Sequence, residues 1–349
     1  MSVQDSRWAT PRITYICRYV PGVNEVLKGI HNGLLELGCQ VQELNLTGKI
    51  PCLYNPYRRQ GGHGPVYVRL ERVLPAIREF KPQLIVFGGG GLTFDENDMA
   101  TIKQHCGVIG MTLSDPDVYP TVSSYAGMYD FHTTNSLQAF DQYVKEGHSN
   151  IHFMPFAVDN RYFTPRETAP QFRCEVAVIG HARPDRLPLA EKLTREFDTI
   201  LYGKNWPYRS LGPVSGENWF RAAYGASCLV NFPTTGAGHT NVKIGVFEAT
   251  AAGRLLFTQY FEEMSRYFQY DKEIIGYHDE EDLLTKLRYY LTHPAEASAV
   301  AAAGRARTAR DHTWRRRFAE LFASLNVQAL EGRKWGERDS YKADGHGIR

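Results

Sequence analysis

Residues 229–259, LVNFPTTGAGHTNVKIGVFEATAAGRLLFTQ, hold side chains suited to a phosphate and to a set of hydroxyls at once. A helix entered through Gly236, Gly238, Thr240 and Asn241 would offer unpaired backbone N–H groups and a positive dipole end to an anion. Further along the same helix, Glu248 stands among Val246, Phe247, Ala249 and Ala251. A carboxylate there cannot bind the anion, but it accepts hydrogen bonds from hydroxyls. Left without partners among apolar neighbours it would be costly to bury. Phosphate at the helix start and ribose on Glu248 make a nucleotide-shaped pattern; a salt bridge from Glu248 to Arg254 or Lys243 is the plain alternative.

The elements that must position these residues repeat a simple theme. Residues 12–20 read as a buried strand, 23–37 as a helix stopped by Gly38, and 39–46 as the next strand, which is one β-α-β unit. A long loop follows at 47–65, with Tyr54, Tyr57, Arg58, Arg59 and His63, then a helix at 66–80. The strand 84–91 runs into four glycines, 88–91, where missing Cβ atoms permit close approach of a ligand or simply a tight strand-to-helix turn. Strands at 107–113, 129–131 and 150–158 and a helix at 136–147 complete a first half. Residues 159–172 read as a linker. The pattern then restarts: strands at 174–180, 198–203, 228–233 and 273–278, and helices at 185–197, 215–227, 261–269, 279–292, 294–304 and 312–330, with 229–259 itself reading as a buried strand, a Gly-rich loop, an amphipathic helix and a second buried strand. Ser215 and Asn218 are candidate caps for the helix at 215–227. The tail from Gly332 is polar and is expected to be flexible.

Composition narrows the class. At 349 residues the chain is comfortable as two domains, and a net charge of +2 lacks the basic excess of a nucleic-acid-binding protein. The C-terminal arginines, Arg305 to Arg317, read as a solvated helix face. The six cysteines form no CxxC pair, which argues against structural zinc and fits a reducing compartment. The N-terminus lacks the apolar core of a signal peptide, and no apolar run approaches the roughly 20 residues of a membrane span. A cytoplasmic location is expected.

The second half resembles a known family. CEVAVIGH (174–181), LYGKNW (201–206), VSGENWFRAAYGASCLVNFP (214–233), NVKIGVFEATAAGRLLFTQY (241–260), EIIGYHDEEDLLTKLRYYLTHP (273–294) and AGRARTARDHTWRRRF (303–318) are similar to the GT-B glycosyltransferases, and more narrowly to the CgeB-like (spore maturation protein-like) family. In the first half LSDPD (113–117), YDFHTTN (129–135) and HFMPFAVDNRYFTP (152–165) resemble acceptor-domain landmarks. The resemblance implies an α/β GT-B fold, two Rossmann-like doubly wound domains facing across a cleft. It implies an acceptor domain at 1–165, a nucleotide-sugar donor domain at 170–311, and a C-terminal helix at 312–330 packing back on the first domain.

The resemblance also implies roles. Glu248 would hold the ribose hydroxyls, Gly180, His181 and Arg183 would approach the diphosphate, and Lys243 takes the neighbourhood of a basic residue that faces phosphate. Gly245-Val246 stand where the CgeB-like pattern more often has Arg before its F-E-A segment. GT-B enzymes generally stabilise the leaving diphosphate with dipoles and basic groups rather than metal, and Arg183, Lys204, Lys243 and Thr240-Asn241 are on offer. Asp115-Pro116-Asp117 is an Asp-x-Asp string, but it fits a strand-end turn better than a metal site. Asp115, then His132, are the candidate bases for an inverting transfer. Tyr202 with Gly203, Trp206 and Phe232 are candidates to border the nucleobase; Tyr19, Tyr57, Arg59, Gly89 and Gly90 are candidates to border the acceptor. The expected partners are a nucleoside-diphosphate sugar, a small-molecule or glycan acceptor and, if the chain self-associates, a second copy. No cofactor or metal is expected. A sugar-nucleotide epimerase or hydrolase and a non-catalytic nucleotide-sugar-binding protein are the alternatives. A dinucleotide oxidoreductase is disfavoured, since residues 17–30 lack G-x-G-x-x-G.

Overall fold

The computed structural model describes residues 10–55, 64–89 and 91–336. Contacts divide the chain into two units. The first takes the chain up to Tyr19, Ile30–Met154 and the chain from Phe318; the second takes Val20–Gly29 and Pro155–Arg317.

The first unit is built from β1 (Arg12–Cys17), most of α1 (Glu25–Leu37), β2 (Gln40–Asn45), β3 (Leu53–Tyr54), β4 (Val66–Val68), α2 (Leu70–Phe80), β5 (Leu84–Phe87), β6 (Leu92–Thr93), α3 (Glu96–Ile102), β7 (Gly107–Thr112), α4 (Tyr119–Ala126), β8 (Phe131–Thr134), α5 (Leu137–Lys145) and β9 (Ile151–Phe153). Six strands form a parallel sheet in the order β2-β1-β5-β7-β8-β9, and β3, β4 and β6 form a small second sheet. Strands β5, β7 and β8 are buried along their whole length, as expected where helices cover both faces of a parallel sheet; β5 accordingly reads as an unbroken apolar run, whereas β8 buries His132 and two threonines. Ile16, Ile77, Phe87, Phe94 and Val108 meet in one core, each side chain worth about 1.5–3 kcal/mol when removed from water.

The second unit repeats the plan. It holds β10 (Cys174–Ile179), α6 (Leu187–Glu196), β11 (Thr199–Tyr202), α7 (Glu217–Gly225), β12 (Ala226–Asn231), α8 (Ile244–Ala251), β13 (Leu255–Gln259), β14 (Ile275–Tyr277), α9 (Glu280–Thr292), α10 (Pro294–Asp311) and the start of α11 (Trp314–Ser324). Its sheet is parallel, in the order β11-β10-β12-β13-β14. Val178, Leu201, Val230, Phe257 and Leu284 share its core. The strand order turns back on itself between β10 and β12, the place where parallel sheets leave a crevice at their carboxyl ends.

Several expectations need correction. The stretch 66–80 is a strand, β4, before it is a helix. The segments holding β6, α3 and α4 are short and give weak sequence periodicity, and they form elements beyond those the sequence predicts. Helix α7 is capped by Gly216 at φ 53°, with no side-chain cap from Ser215 or Asn218. Helix α8 begins at Ile244 behind Lys243; Thr234 and Thr240 instead pair as an antiparallel bridge, so the glycines between them close a small hairpin. The tail is not loose where it is described. Arg333 forks onto Asp130 through bonds of 2.7 and 2.9 Å, and Trp335 Nε1 donates to the Pro82 carbonyl at 2.9 Å. Among the described residues no helix is long and apolar enough to cross a membrane.

Candidate active site

At the carboxyl ends of β10 and β12 the second unit holds a cavity of about 300 Å³, lined by Gly180, Arg186, Trp219, Phe232, Lys243 and Glu248 among others. A smaller cavity of about 200 Å³ adjoins it and shares Trp219, Ile244 and Glu248, with Tyr162 in its wall.

Glu248 lies one turn into α8. Its Oε1 accepts a 2.6 Å hydrogen bond from the Tyr162 hydroxyl, and Oε2 has no hydrogen-bond partner among the described residues. The partner is neither Arg254 nor Lys243. Tyr162 comes from the short 3-10 turn Asn160–Phe163, and its ring is fixed between Trp219 and Phe220 at centroid distances of 5.3 and 5.0 Å. Behind it Arg161 bridges Asp159 at 2.8 Å and Glu25 at 2.7 Å. Burial pushes the Glu248 carboxyl up to about 7, against the pull of the Tyr162 bond and of Arg161. A half-satisfied carboxylate of this kind can take further hydroxyl donors.

The start of α8 faces the same cavity. Lys243 supplies no side-chain cap, and no described hydrogen bond uses the Ile244 or Gly245 N–H. A Cβ placed on Gly245 would meet nothing within 4 Å. The open approach and the dipole together suit an anion. Arg186 adds a cation. Its guanidinium sits 5.1 Å over Phe232, donates to the His181 carbonyl at 2.9 Å, and leaves a buried Nε without a partner.

The larger cavity thus gathers Gly180, Lys243, Phe232 and Glu248 from the anticipated set and adds Arg186 and Trp219, and the adjoining one adds Tyr162. Arg183 turns away onto Asp185, with bonds of 3.0 and 2.5 Å. His181 accepts the Lys204 N–H through Nδ1. Tyr202 is core rather than cavity wall: it is buried and stacks on Phe172. Gly203 is needed for packing, since a Cβ there would collide with the Gly180 carbonyl. Trp206 donates to that same carbonyl at 2.8 Å. Thr240 is exposed and Asn241 buried, both upstream of the helix start.

The first unit has its own cavity of about 480 Å³, with Gly91, Thr112, Asp117, Thr121, Tyr125 and His132 in its wall. His132 lies inside β8, not at a strand end. Its Nε2 is 3.1 Å from Thr112 Oγ1, and burial pushes the ring down to about 3, so it is neutral near pH 7. Asp115 is buried and knits the turn together: Oδ2 accepts from Thr134 Oγ1 at 2.5 Å and its N–H donates to Asn135 Oδ1 at 3.1 Å. Burial pushes its carboxyl up to about 6. No described bond joins Asp115 to His132. Asp117 is the exposed carboxylate of this stretch. Gly89 sits at φ 85°, where an added Cβ would stand 3.2 Å from Leu113 Cδ1, and Gly91 rather than Gly89 lines the cavity. Tyr19 accepts through its carbonyl from Asn45 and Thr47. Tyr57, Arg59 and Gly90 lie outside the described residues. Among the described residues no group of three His, Cys, Asp or Glu is placed to hold a metal.

Two α/β units with parallel sheets are the fold of the GT-B glycosyltransferases, and residues 186–323 match the family model described as glycosyl transferase-like. Solved structures agree on the fold. Sucrose-phosphate synthase from Thermosynechococcus elongatus is 14% identical, with 91% of this chain and 98% of that chain covered and a TM-score of 0.58. AviGT4, a glycosyltransferase involved in avilamycin A biosynthesis, is 15% identical over 92% and 99%, with a TM-score of 0.56. HepE of Anabaena in complex with UDP-glucose is 10% identical over 90% and 100%, also with a TM-score of 0.56. No curated protein sequence matches the chain.

Proposed function

We propose that the protein is a glycosyltransferase that takes a hexosyl or related sugar from a nucleoside diphosphate bound in the second unit and passes it to a small-molecule or glycan acceptor. The observation that carries this reading is Glu248, held at one oxygen by Tyr162 and open at the other, on the helix whose uncapped start faces the same cavity. Ribose hydroxyls on Glu248 and a diphosphate at Ile244 and Gly245 fit that spacing. Arg186 and Lys243 supply positive charge for the leaving diphosphate, which needs compensation as the sugar–phosphate bond breaks. A metal is not required for this role, and turnover is expected to be unaffected by a chelator. The CgeB-like resemblance of the second half, and a cytoplasmic location, are part of the same reading.

The acceptor is assigned to the cavity of the first unit. Asp117 is placed to accept its hydroxyl proton, because it is exposed on the cavity wall while Asp115 is buried in the turn. Asp117→Asn is expected to lower kcat by roughly 100-fold or more with little change in melting temperature. Asp115→Asn is expected to lower stability first. If instead Asp115→Asn abolishes turnover in a fully folded protein, Asp115 is the base, and the rate should then rise with pH through about 6.

Uridine nucleotides are the first donors to try, since HepE of Anabaena is solved with UDP and with UDP-glucose. A thermal-shift screen of UDP-, GDP-, TDP- and CMP-linked sugars should show a rise with one nucleotide class. The rise should be lost in Glu248→Ala. No rise with any nucleotide would sink the donor reading. Donor consumption that is fast without any acceptor would favour an epimerase or hydrolase instead.

A further inference from the structure

The largest cavity described in the second unit lies at the opposite end of its sheet. It measures about 530 Å³ and opens at the amino ends of β12 and β13, with Tyr224, Arg254, Tyr290, Pro294, Ser298 and Arg305 in its wall. Its volume is in the range of small-molecule sites. No acidic side chain lines it, and among the described residues neither arginine has a carboxylate within ion-pair reach.

The two guanidiniums are held, but not neutralised. Arg305 donates one 2.6 Å bond to the Phe163 carbonyl and lies 5.9 Å from the Phe163 ring. Arg254 lies 5.3 Å over the Tyr224 ring and reaches the Ala226 and Ala252 carbonyls only at 3.4 Å. Burial pulls the Arg254 pKa down, and Arg305 adds to that. Arg254 spends Nε and Nη1 on these carbonyls and Arg305 spends Nη2, and a guanidinium offers five N–H groups. Helix α10 also starts here. It runs 18 residues from Pro294, and His293 at its N-cap gives it no side-chain cap. Glu296, in the first turn of α10, takes the Tyr289 hydroxyl at 2.8 Å and is not part of the cavity wall. Two cations and a helix start around one cavity, with no acid in its wall, form an arrangement that an anion completes. Alanine-rich walls (Ala252, Ala297, Ala301, Ala302) leave room for a compact organic body beside the charge.

This cavity is joined to Glu248 by a short chain of bonds. The Tyr224 hydroxyl donates to the Tyr162 carbonyl at 3.3 Å, and Arg305 holds the next carbonyl, that of Phe163. The Tyr162 hydroxyl is the group that pins Glu248. An occupant that re-aims Tyr224 or Arg305 therefore bears on the turn that presents Tyr162.

We propose that this cavity is an effector site for a phosphate-bearing small molecule of about sugar-phosphate size, and that its occupancy alters the affinity of the Glu248 cavity for nucleotide. The binding claim stands by itself; the coupling rests on the donor reading given above.

Calorimetric titration of ribose 5-phosphate into the full chain tests both parts. The wild type should bind it, and Arg254→Gln and Ser298→Glu should bind at least roughly tenfold more weakly, because a charge-assisted bond is lost or a carboxylate is set against the ligand. Ser298 is exposed, so that variant keeps its fold even where Arg254→Gln does not. Lys243→Ala, at the other end of the sheet, should bind like the wild type. No binding by the wild type would overturn the proposal. So would loss in Lys243→Ala with retention in Ser298→Glu, which would place the phosphate in the nucleotide cavity. For the coupling, the Kd for UDP should change severalfold when ribose 5-phosphate is present, and should not change in Ser298→Glu. An unchanged Kd in the wild type would overturn the coupling. Absence of UDP binding with ribose 5-phosphate binding intact would instead remove the donor reading and leave the site standing.

Discussion

Glu248 holds its proton longer than a surface glutamate does. Its ordinary value of 4.5 is pushed up to about 7, by burial first and then by Asp159 and Glu25, with Tyr162 and Arg161 opposing. Between those values the folded protein keeps a proton that the unfolded chain has released, so the stability this group confers falls as pH rises through the window. Glu248→Gln removes that slope, and its amide carbonyl still accepts the Tyr162 hydroxyl. The variant should match the wild type near pH 5 and exceed it near pH 8 by on the order of 1–2 kcal/mol, read from thermal unfolding. Its nucleotide binding should move the opposite way. UDP affinity of the wild type should rise with pH through about 7 as the carboxylate forms, and the variant should lack that extra rise. Equal slopes in both proteins would take Glu248 away from the ribose. Arg186→Ala should weaken UDP about 10- to 100-fold by loss of a charge-assisted contact. Glu248 was legible in the sequence because one carboxylate in an apolar helix has few uses. Arg186 was not: Arg183 and Arg186 flank the same Pro-Asp pair, and only the fold shows Arg183 spent on Asp185. Tyr162 was invisible for a different reason. It stands in a polar stretch that reads as linker, 86 residues from the carboxylate it serves.

Elements with strong periodicity were legible almost to the residue, as α9 and β10 show. Short elements were not. Strand β6 has two residues, and its pairing with β4 is a tertiary event. Helix α3 did carry a signal, Asp95 capping the Asp98 N–H at 2.9 Å, but its seven residues give too little periodicity to stand out. The start of the tail shows where composition is silent: it is polar, yet Arg333 and Trp335 each find a buried partner, while 337–349 lie outside the described residues. Arg333→Ala leaves Asp130 with Lys103 at 3.1 Å and the Val108 N–H. Because Asp130 is nearly buried, the loss should be about 2–3 kcal/mol. A chain stopped after Glu331 should lose at least as much, in chemical denaturation. Unchanged midpoints in both would make the forked pair a surface ornament.

At the scale of the molecule, each unit has a large core of its own among the described residues. Chains with two cores commonly depart from two-state unfolding. Calorimetric melting should resolve more than one component, and UDP should raise the one that belongs to the second unit, by about 2.7 kcal/mol at a hundredfold excess over Kd. If UDP raises only the other component, the nucleotide is bound by the first unit. The division of the chain between these cores also has a bearing on how the molecule is made. The first unit claims residues from Phe318 onward, among them the arginine that forks onto Asp130. A ribosome delivers every residue of the second unit before those. The first unit is thus finished after the second, and Asp130, with Lys103 already made, waits through roughly 200 further residues, about 10–40 s at ordinary synthesis rates, for its second cation to emerge.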